Sequence, residues 1–151
     1  MGSPAGRTRA GRGAGQPVTN LLLDTNAVIT MAAAPPGTTF AGIQDGDVLA
    51  ISTVTELEVR LGVGLRPGNV HLLQTLAWLT RNYRGIPTDA AVVAAFPVIV
   101  ASAVAAGQSP ERRIADLTIA ATALAHGATL ITDDRTLRNA LTGAVATRSL
   151  Q

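Results

Sequence analysis

Short apolar runs alternate with helical patterns from residue 20 onward, and the first run, Leu21-Leu22-Leu23, stops at an acid, Asp24. This alternation constrains the fold more than any other feature, because strands separated by helical stretches pair in parallel and take helices on both faces. An aspartate at the carboxyl end of such a strand lies on the edge where open α/β sheets place their chemistry. Residues 21–23 should form a short buried strand, and residues 26–34 a helix ended by Pro35-Pro36-Gly37. A second strand is expected over residues 47–52. Thr53 or Thr55 then caps a helix with Val54, Leu57 and Leu61 on one face. Beyond the Pro67-Gly68 turn comes a helix striped by Leu72, Leu76 and Leu79.

Residues 85–87 suggest a short third strand, and a long Ala/Val helix follows from Thr88, which Pro97 should kink or break. After a loop at residues 107–110, a helix with Leu117, Ala120, Ala121 and Leu124 inward ends at Gly127. A strand over residues 128–131, a short helix over 133–141 and a last strand over 144–147 complete the pattern. The expected architecture is a three-layer α/β/α domain with a short, mostly parallel sheet of four or five strands. No internal repeat is present.

At 151 residues and 47% hydrophobic, the chain suits one domain with a sizeable core. It has no cysteine, which excludes a disulfide framework and a thiolate metal site. The pI of about 10.4 suggests a nucleic-acid binder, yet Arg7, Arg9 and Arg12 lie in a Gly/Ala-rich head, residues 1–19, expected to be a flexible arm. Taking these three from the twelve basic residues leaves nine against ten acids, a balance of −1 for residues 20–151. A polyanion would therefore be held by placed arginines rather than by bulk charge. No clean apolar core of an export signal follows the head, because Asp24 and Asn26 interrupt it. The uncharged stretch of residues 90–106 is shorter than the ~20 residues a spanning helix needs and contains Pro97, so a buried core helix in a cytoplasmic protein is expected.

The acids carry the chemistry. Asp24 and the pair Asp133-Asp134 both follow expected parallel strands, whose carboxyl ends share one edge. Asp116 opens the helix feeding the strand that ends at Ile131, and Glu58 sits on the helix leaving the second strand. Each has an ordinary alternative: Asp24 and Asp133 or Asp134 as helix N-caps, Glu58 as a solvated residue. Asp116 is harder to explain away, since its helix is otherwise Ala, Leu, Ile and Thr. Ionised carboxylates ~4 Å apart repel by about 4 kcal/mol per pair at an effective dielectric near 20, so a cluster either protonates or binds a cation. Oxygen ligands without Cys or a neighbouring His select Mg²⁺ or Mn²⁺ over Zn²⁺. Glu56 and Glu58, two apart on a helix, point about 200° from each other, and Gly62 one turn beyond Glu58 opens space there, which favours Glu58. Arg112 and Arg113, one turn before Asp116, and Arg60, beyond Glu58, are candidates to hold phosphates, with solvation or ion pairing as the alternative. His71 and His126, at a helix start and a helix end, read as structural.

In this setting the chain resembles the PIN-domain ribonucleases, and among them the VapC-type toxins of type II toxin-antitoxin systems. Leu23-Asp24-Thr25-Asn26 is similar to their first acidic motif, and Thr55-Glu56-Leu57-Glu58-Val59-Arg60-Leu61-Gly62 to a Thr-x-x-Glu-x-x-x-Gly element. The match continues from Ala115-Asp116-Leu117 to His126-Gly127, and Thr132-Asp133-Asp134 fits a Thr-x-Asp ending, which favours Asp134 over Asp133. The arginine-bearing head and Pro97 depart from the pattern.

The resemblance implies a catalytic set of Asp24, Glu58, Asp116 and Asp134, with Asp24 and Asp116 as the surest direct ligands of Mg²⁺, for which Mn²⁺ may substitute. Asn26, Thr132 and Asp133 would support them, and Arg60, Arg112 and Arg113 would contact RNA. It also implies hydrolysis of transfer or ribosomal RNA by an activated water, leaving a 5′-phosphate and a 3′-hydroxyl, together with a VapB-type antitoxin and a homodimer. Two other classes compete. A phosphotransfer or phosphatase α/β domain also places an Asp after its first strand, but receivers use a lysine, absent here, and dehalogenase-like phosphatases want a second Asp where Asn26 stands. A non-catalytic PIN-like binding module is the other.

Overall fold

The computed structural model describes residues 19–151, so the proposed arm lies outside the described residues apart from Thr19. Four strands form one parallel sheet: β1 (Asn20–Leu23), β2 (Val48–Ile51), β3 (Thr129–Ile131) and β4 (Thr147–Arg148), in the spatial order β2-β1-β3-β4. β1 is central, with Leu23 beside Ile51 on one side and Ile131 on the other. Its three leucines are fully buried, and pleating splits them between two cores. Leu22 joins Leu130 in the core made with α4 (Ala90–Ala105), α5 (Ile114–Ala125) and α6 (Arg135–Ala140). Leu21, Leu23 and Ile131 join the opposite core with α1 (Thr25–Ala33) and α3 (Val70–Asn82), to which Val59 of α2 (Thr53–Leu65) also belongs. This is the expected three-layer α/β/α arrangement, with four strands.

Local chemistry explains the boundaries. Asp24 accepts a hydrogen bond from Ala27 N at 2.7 Å and so caps α1. Asp89 caps α4 through Val92 N, and Gly127, at φ +62°, ends the segment after α5. Of the kink or break expected at Pro97, the break does not occur: α4 runs through it as one helix. Proline removes a hydrogen bond to the carbonyl four residues earlier, here Val93; both residues are exposed, so water can solvate that carbonyl. Facing it, α5 buries Ala120, Ala121 and Ala123, small residues that suit close packing between the two helices.

Four other expectations need correction. Ser52, whose hydroxyl accepts from Val54 N at 3.0 Å, caps α2 in place of Thr53 or Thr55. The inner line of α2 is Thr55 and Val59; Leu57 and Leu61, about 200° round the helix from them, are 64% and 62% exposed. The proposed strand at residues 85–87 is a single parallel bridge between Ser52 and Ile86. Gly85 lies so close to Thr53 that a Cβ there would meet its backbone at 2.9 Å, and Pro87 has no N–H to extend a ladder. The last strand begins at Thr147 instead of Ala144, because Ala144 N still bonds the Leu141 carbonyl in the turn after α6.

The chain's tail crosses the segment before β2. Gly42 N donates to the Leu150 carbonyl at 3.0 Å, and a Cβ on Gly42 would fall 1.9 Å from the Ser149 carbonyl oxygen. Leu150 is fully buried, and Arg148 bonds both the Gly42 carbonyl and Asp47.

Candidate active site

The parallel pairing of β1 with β3 sets the centre of the site. Asp24 N donates to the Ile131 carbonyl at 3.1 Å, which brings Asp24 beside Thr132 where the two strands end. Asp24 is 7% exposed and Thr132 is fully buried. Burial raises the Asp24 carboxyl above its ordinary pKa of 3.8; hydrogen bonds from Thr132 and Ala27 N pull it back, and the charges of Asp116 and Asp133 push it up again. No arginine pairs with Asp24 among the described residues. Asp116, in the first turn of α5, is also raised, first by burial and then by Asp134, with Arg113 opposing. Its N-terminal placement is favourable for an acid, since the helix dipole is positive there.

Asp134 is more heavily tethered. Its Oδ1 accepts from Leu137 N at 2.9 Å, capping α6, and its Oδ2 accepts from Arg113 Nη2 at 2.7 Å. Its backbone N–H donates to Thr132 Oγ1 at 3.2 Å. Burial acts upward on its carboxyl, but the bonds from Leu137 and Arg113 outweigh it and leave the pKa lowered. Asp133 turns elsewhere: its Oδ1 accepts from the Ser149 hydroxyl and from Leu150 N at 2.8 Å, and its pKa is lowered by these bonds despite the upward effect of burial. Of the two neighbours, Asp134 therefore meets the Asp116 side of the rim, while Asp133 holds the tail.

Glu58 reaches the first strand's end by a contact that motif reading missed. Thr25 Oγ1, next to Asp24, donates to Glu58 Oε1 at 2.5 Å and lies 3.5 Å from Thr55 Oγ1. The signal was available in the sequence, since Thr25 directly follows the strand-ending acid and Thr55 is one turn before Glu58. Asn26, expected to orient the carboxylates, is exposed in α1 with no side-chain bond to them. Glu56 is paired with Arg60 at 2.8 Å on the exposed face of α2, which separates its role from that of Glu58. Gly62 does not open space beside Glu58, as expected; a Cβ there would meet Leu72 of α3 at 3.3 Å, so it serves helix packing. Arg112 is exposed in the short 3₁₀ turn Pro110–Arg112. His71 and His126 are both exposed, His126 at the end of α5.

The oxygen-only donors and the unpaired, buried Asp24 beside Asp116 fit a hard divalent cation. As the side chains stand, however, no three His, Asp or Glu residues among those described are gathered closely enough to hold a metal ion. Thr25 holds Glu58, and Arg113 with the α6 cap holds Asp134. Among the described residues no helix is long and apolar enough to cross a membrane.

Comparison with known proteins agrees with this arrangement. VapBC-5 of Mycobacterium tuberculosis, a member of the VapBC family of toxin-antitoxin systems, is similar at 26% identity and a TM-score of 0.66, with 88% of this chain and 98% of that chain covered. FitAcB of Neisseria gonorrhoeae is similar at 27% identity and a TM-score of 0.58, over 84% and 95% of the two chains. VapBC2 of Rickettsia felis, solved bound to a promoter DNA fragment, shares the fold at 17% identity and a TM-score of 0.67, over 88% and 100%. No curated protein sequence matches the chain. The model of the PIN domain matches residues 21–140, from the first strand through α6, and the chain belongs to the PIN-domain family.

Proposed function

We propose that this chain is a VapC-type toxin, a metal-dependent endoribonuclease restrained by a cognate VapB-type antitoxin. The observation that carries the reading is the buried Asp24 carboxylate at the end of the central strand, close enough to Asp116 to feel its charge and without an arginine partner among the described residues. Burial raises this carboxyl and the Asp116 charge adds to it, and perturbed carboxylates gathered on the carboxyl edge of a sheet cluster at functional sites. The resemblance to the VapBC structures supports the toxin assignment, and the donor set supports Mg²⁺, with Mn²⁺ as a substitute.

In this reading Asp24 and Asp116 bind the ion directly, and Glu58 and Asp134 complete the acidic set. When bound, Mg²⁺ would supply stabilisation of charge on the phosphoryl group and acidify the attacking water. Thr132 bonds Asp24 and Thr25 bonds Glu58, which fixes where these two carboxylates would stand toward a bound ion. Asn26, exposed on the first turn of α1, and Asp133, next to Asp134, belong to the supporting residues of this set. Arg112, Arg113 and Arg60 hold phosphates that flank the cut, although Arg60 must first leave Glu56. In-line attack leaves a 5′-phosphate and a 3′-hydroxyl on transfer or ribosomal RNA, in the cytoplasm. The active form is a homodimer.

Incubating the purified chain with total cellular RNA and Mg²⁺, then mapping new 5′-phosphate ends, tests the reading. Asp24→Asn and Asp116→Asn should each reduce cleavage by about 10³-fold or more, as expected when a group that stabilises transition-state charge is lost. A deoxy sugar at the cut site should leave cleavage intact. Loss of cleavage with binding preserved would instead require the RNA's own 2′-hydroxyl. Persistent RNA binding without cleavage by the unaltered chain would support the non-catalytic module.

A further inference from the structure

Among the described residues Arg113 is the arginine that forms an ion pair with an acid of the candidate catalytic set, Asp134. It precedes α5 and makes no side-chain cap there, and its cation opposes the positive end of that helix's dipole. Its placement is therefore held by something other than the helix. Nη2 bonds Asp134 Oδ2 at 2.7 Å, and the pair is largely screened from solvent, with side chains 23% and 32% exposed. Nη1 is buried and has no partner among the described residues. A partly exposed guanidinium that bonds one carboxylate oxygen while a second, buried donor has no partner among the described residues has an incomplete set of bonds. At the same time its charge offsets that of Asp116.

Building on the metal-dependent reading, we infer that Arg113 is a resident counter-ion of the metal-free site, competing with the divalent cation for Asp134 and released toward the substrate phosphate when the cation binds. The competition has a simple geometric basis. Asp134 Oδ1 is engaged in the cap of α6, so Oδ2 is the oxygen available to a metal, and Oδ2 is the one Arg113 occupies. A planar guanidinium freed from Oδ2 presents Nη2 together with the unpartnered Nη1, a fork that matches two phosphate oxygens. Arg113 thus has two roles in sequence: it keeps Asp134 in place while the site lacks metal, then it positions RNA. It is a positioning residue for the ion and a binding residue for the substrate.

Isothermal titration of the full chain with Mn²⁺ alone tests this, using the unaltered protein, Arg113→Met, and Arg135→Met as a control. Arg135 is exposed and adjacent to Asp134, so its replacement removes the same charge without removing the ion pair. Competition for one carboxylate is a coupling between two ligands, and relieving it should tighten Mn²⁺ binding by roughly fivefold or more in Arg113→Met, with less than half that gain in Arg135→Met. Melting provides a second readout: Arg113→Met should lower the melting temperature of the metal-free protein and leave the Mn²⁺-saturated one near the unaltered value. If Arg113→Met does not fold, Arg113→Lys, which keeps a point charge but not the fork, should tighten Mn²⁺ binding to a smaller extent. Equal affinities for all variants, or weaker binding by the Arg113 variants, would overturn the inference while leaving the metal site intact. Absence of Mn²⁺ binding even to the unaltered chain would overturn the metal reading and the inference with it.

Discussion

Thr25 shows how much of the site depends on a single hydroxyl. Its 2.5 Å bond to Glu58 is charge-assisted and joins two elements, α1 at its first residue and α2. Thr25→Val keeps the shape and removes the donor, and a hydrogen bond to a charged group is worth about 1.5–3 kcal/mol. RNA cleavage at saturating Mg²⁺ should therefore fall by roughly tenfold or more, Thr25→Ser should restore most of it, and RNA affinity should stay unchanged. Asp24 invites the opposite kind of measurement. Asp24→Asn retains an acceptor for Ala27 N and removes a buried charge facing Asp116, so the metal-free protein should melt a few degrees higher while cleavage is lost, a stabilisation on the order of 1 kcal/mol. The positions of Asp24, Glu58, Asp116 and Asp134 were legible because each is tied to a strand end or a helix turn. Their tethers were not: the partnership of Arg113 with Asp134 joins residues 21 positions apart, and that of Thr25 with Glu58 joins residues 33 apart. Neither separation leaves a periodic trace.

At the level of elements, α2 is the instructive case. Its leucines are its most apolar residues, yet its buried line is Thr55 and Val59. Sequence periodicity identifies the presence of a face, but packing against α3 and α5 decides which face is used, and a half-polar line can be chosen when the apolar one has no neighbour. Val59→Ala should destabilise the domain by about 1–2 kcal/mol, whereas Leu61→Gln should change urea unfolding by less than about 0.5 kcal/mol. A reversed order would place Leu61 in the core. The strands were easier: Leu21–Leu23 and Leu130-Ile131 are continuous apolar runs, as strands buried on both faces must be. The bridge at Ile86 and the late start of β4 depended on close contacts by Gly85 and on the turn after α6, which are tertiary facts.

Across the molecule, the tail and the acidic rim share a support. Asp133 accepts from Ser149 and Leu150, and its pKa lies below the ordinary 3.8, so its contribution to stability is complete above that value and is lost as pH falls below it. Asp133→Asn should therefore lower stability most at neutrality, where that contribution is fully present, and the gap from the unaltered protein should narrow as pH falls below 3.8. Removing residues 149–151 would expose the pocket of the fully buried Leu150 and cost about 2–3 kcal/mol, read as a lower urea midpoint. The same clasp makes the segment around Leu150 a lever whose fulcrum is one peptide away from Asp134. Deleting that segment, or inserting a bulky one directly after it, would reach the acidic rim from behind, loosening an acid that neither change touches.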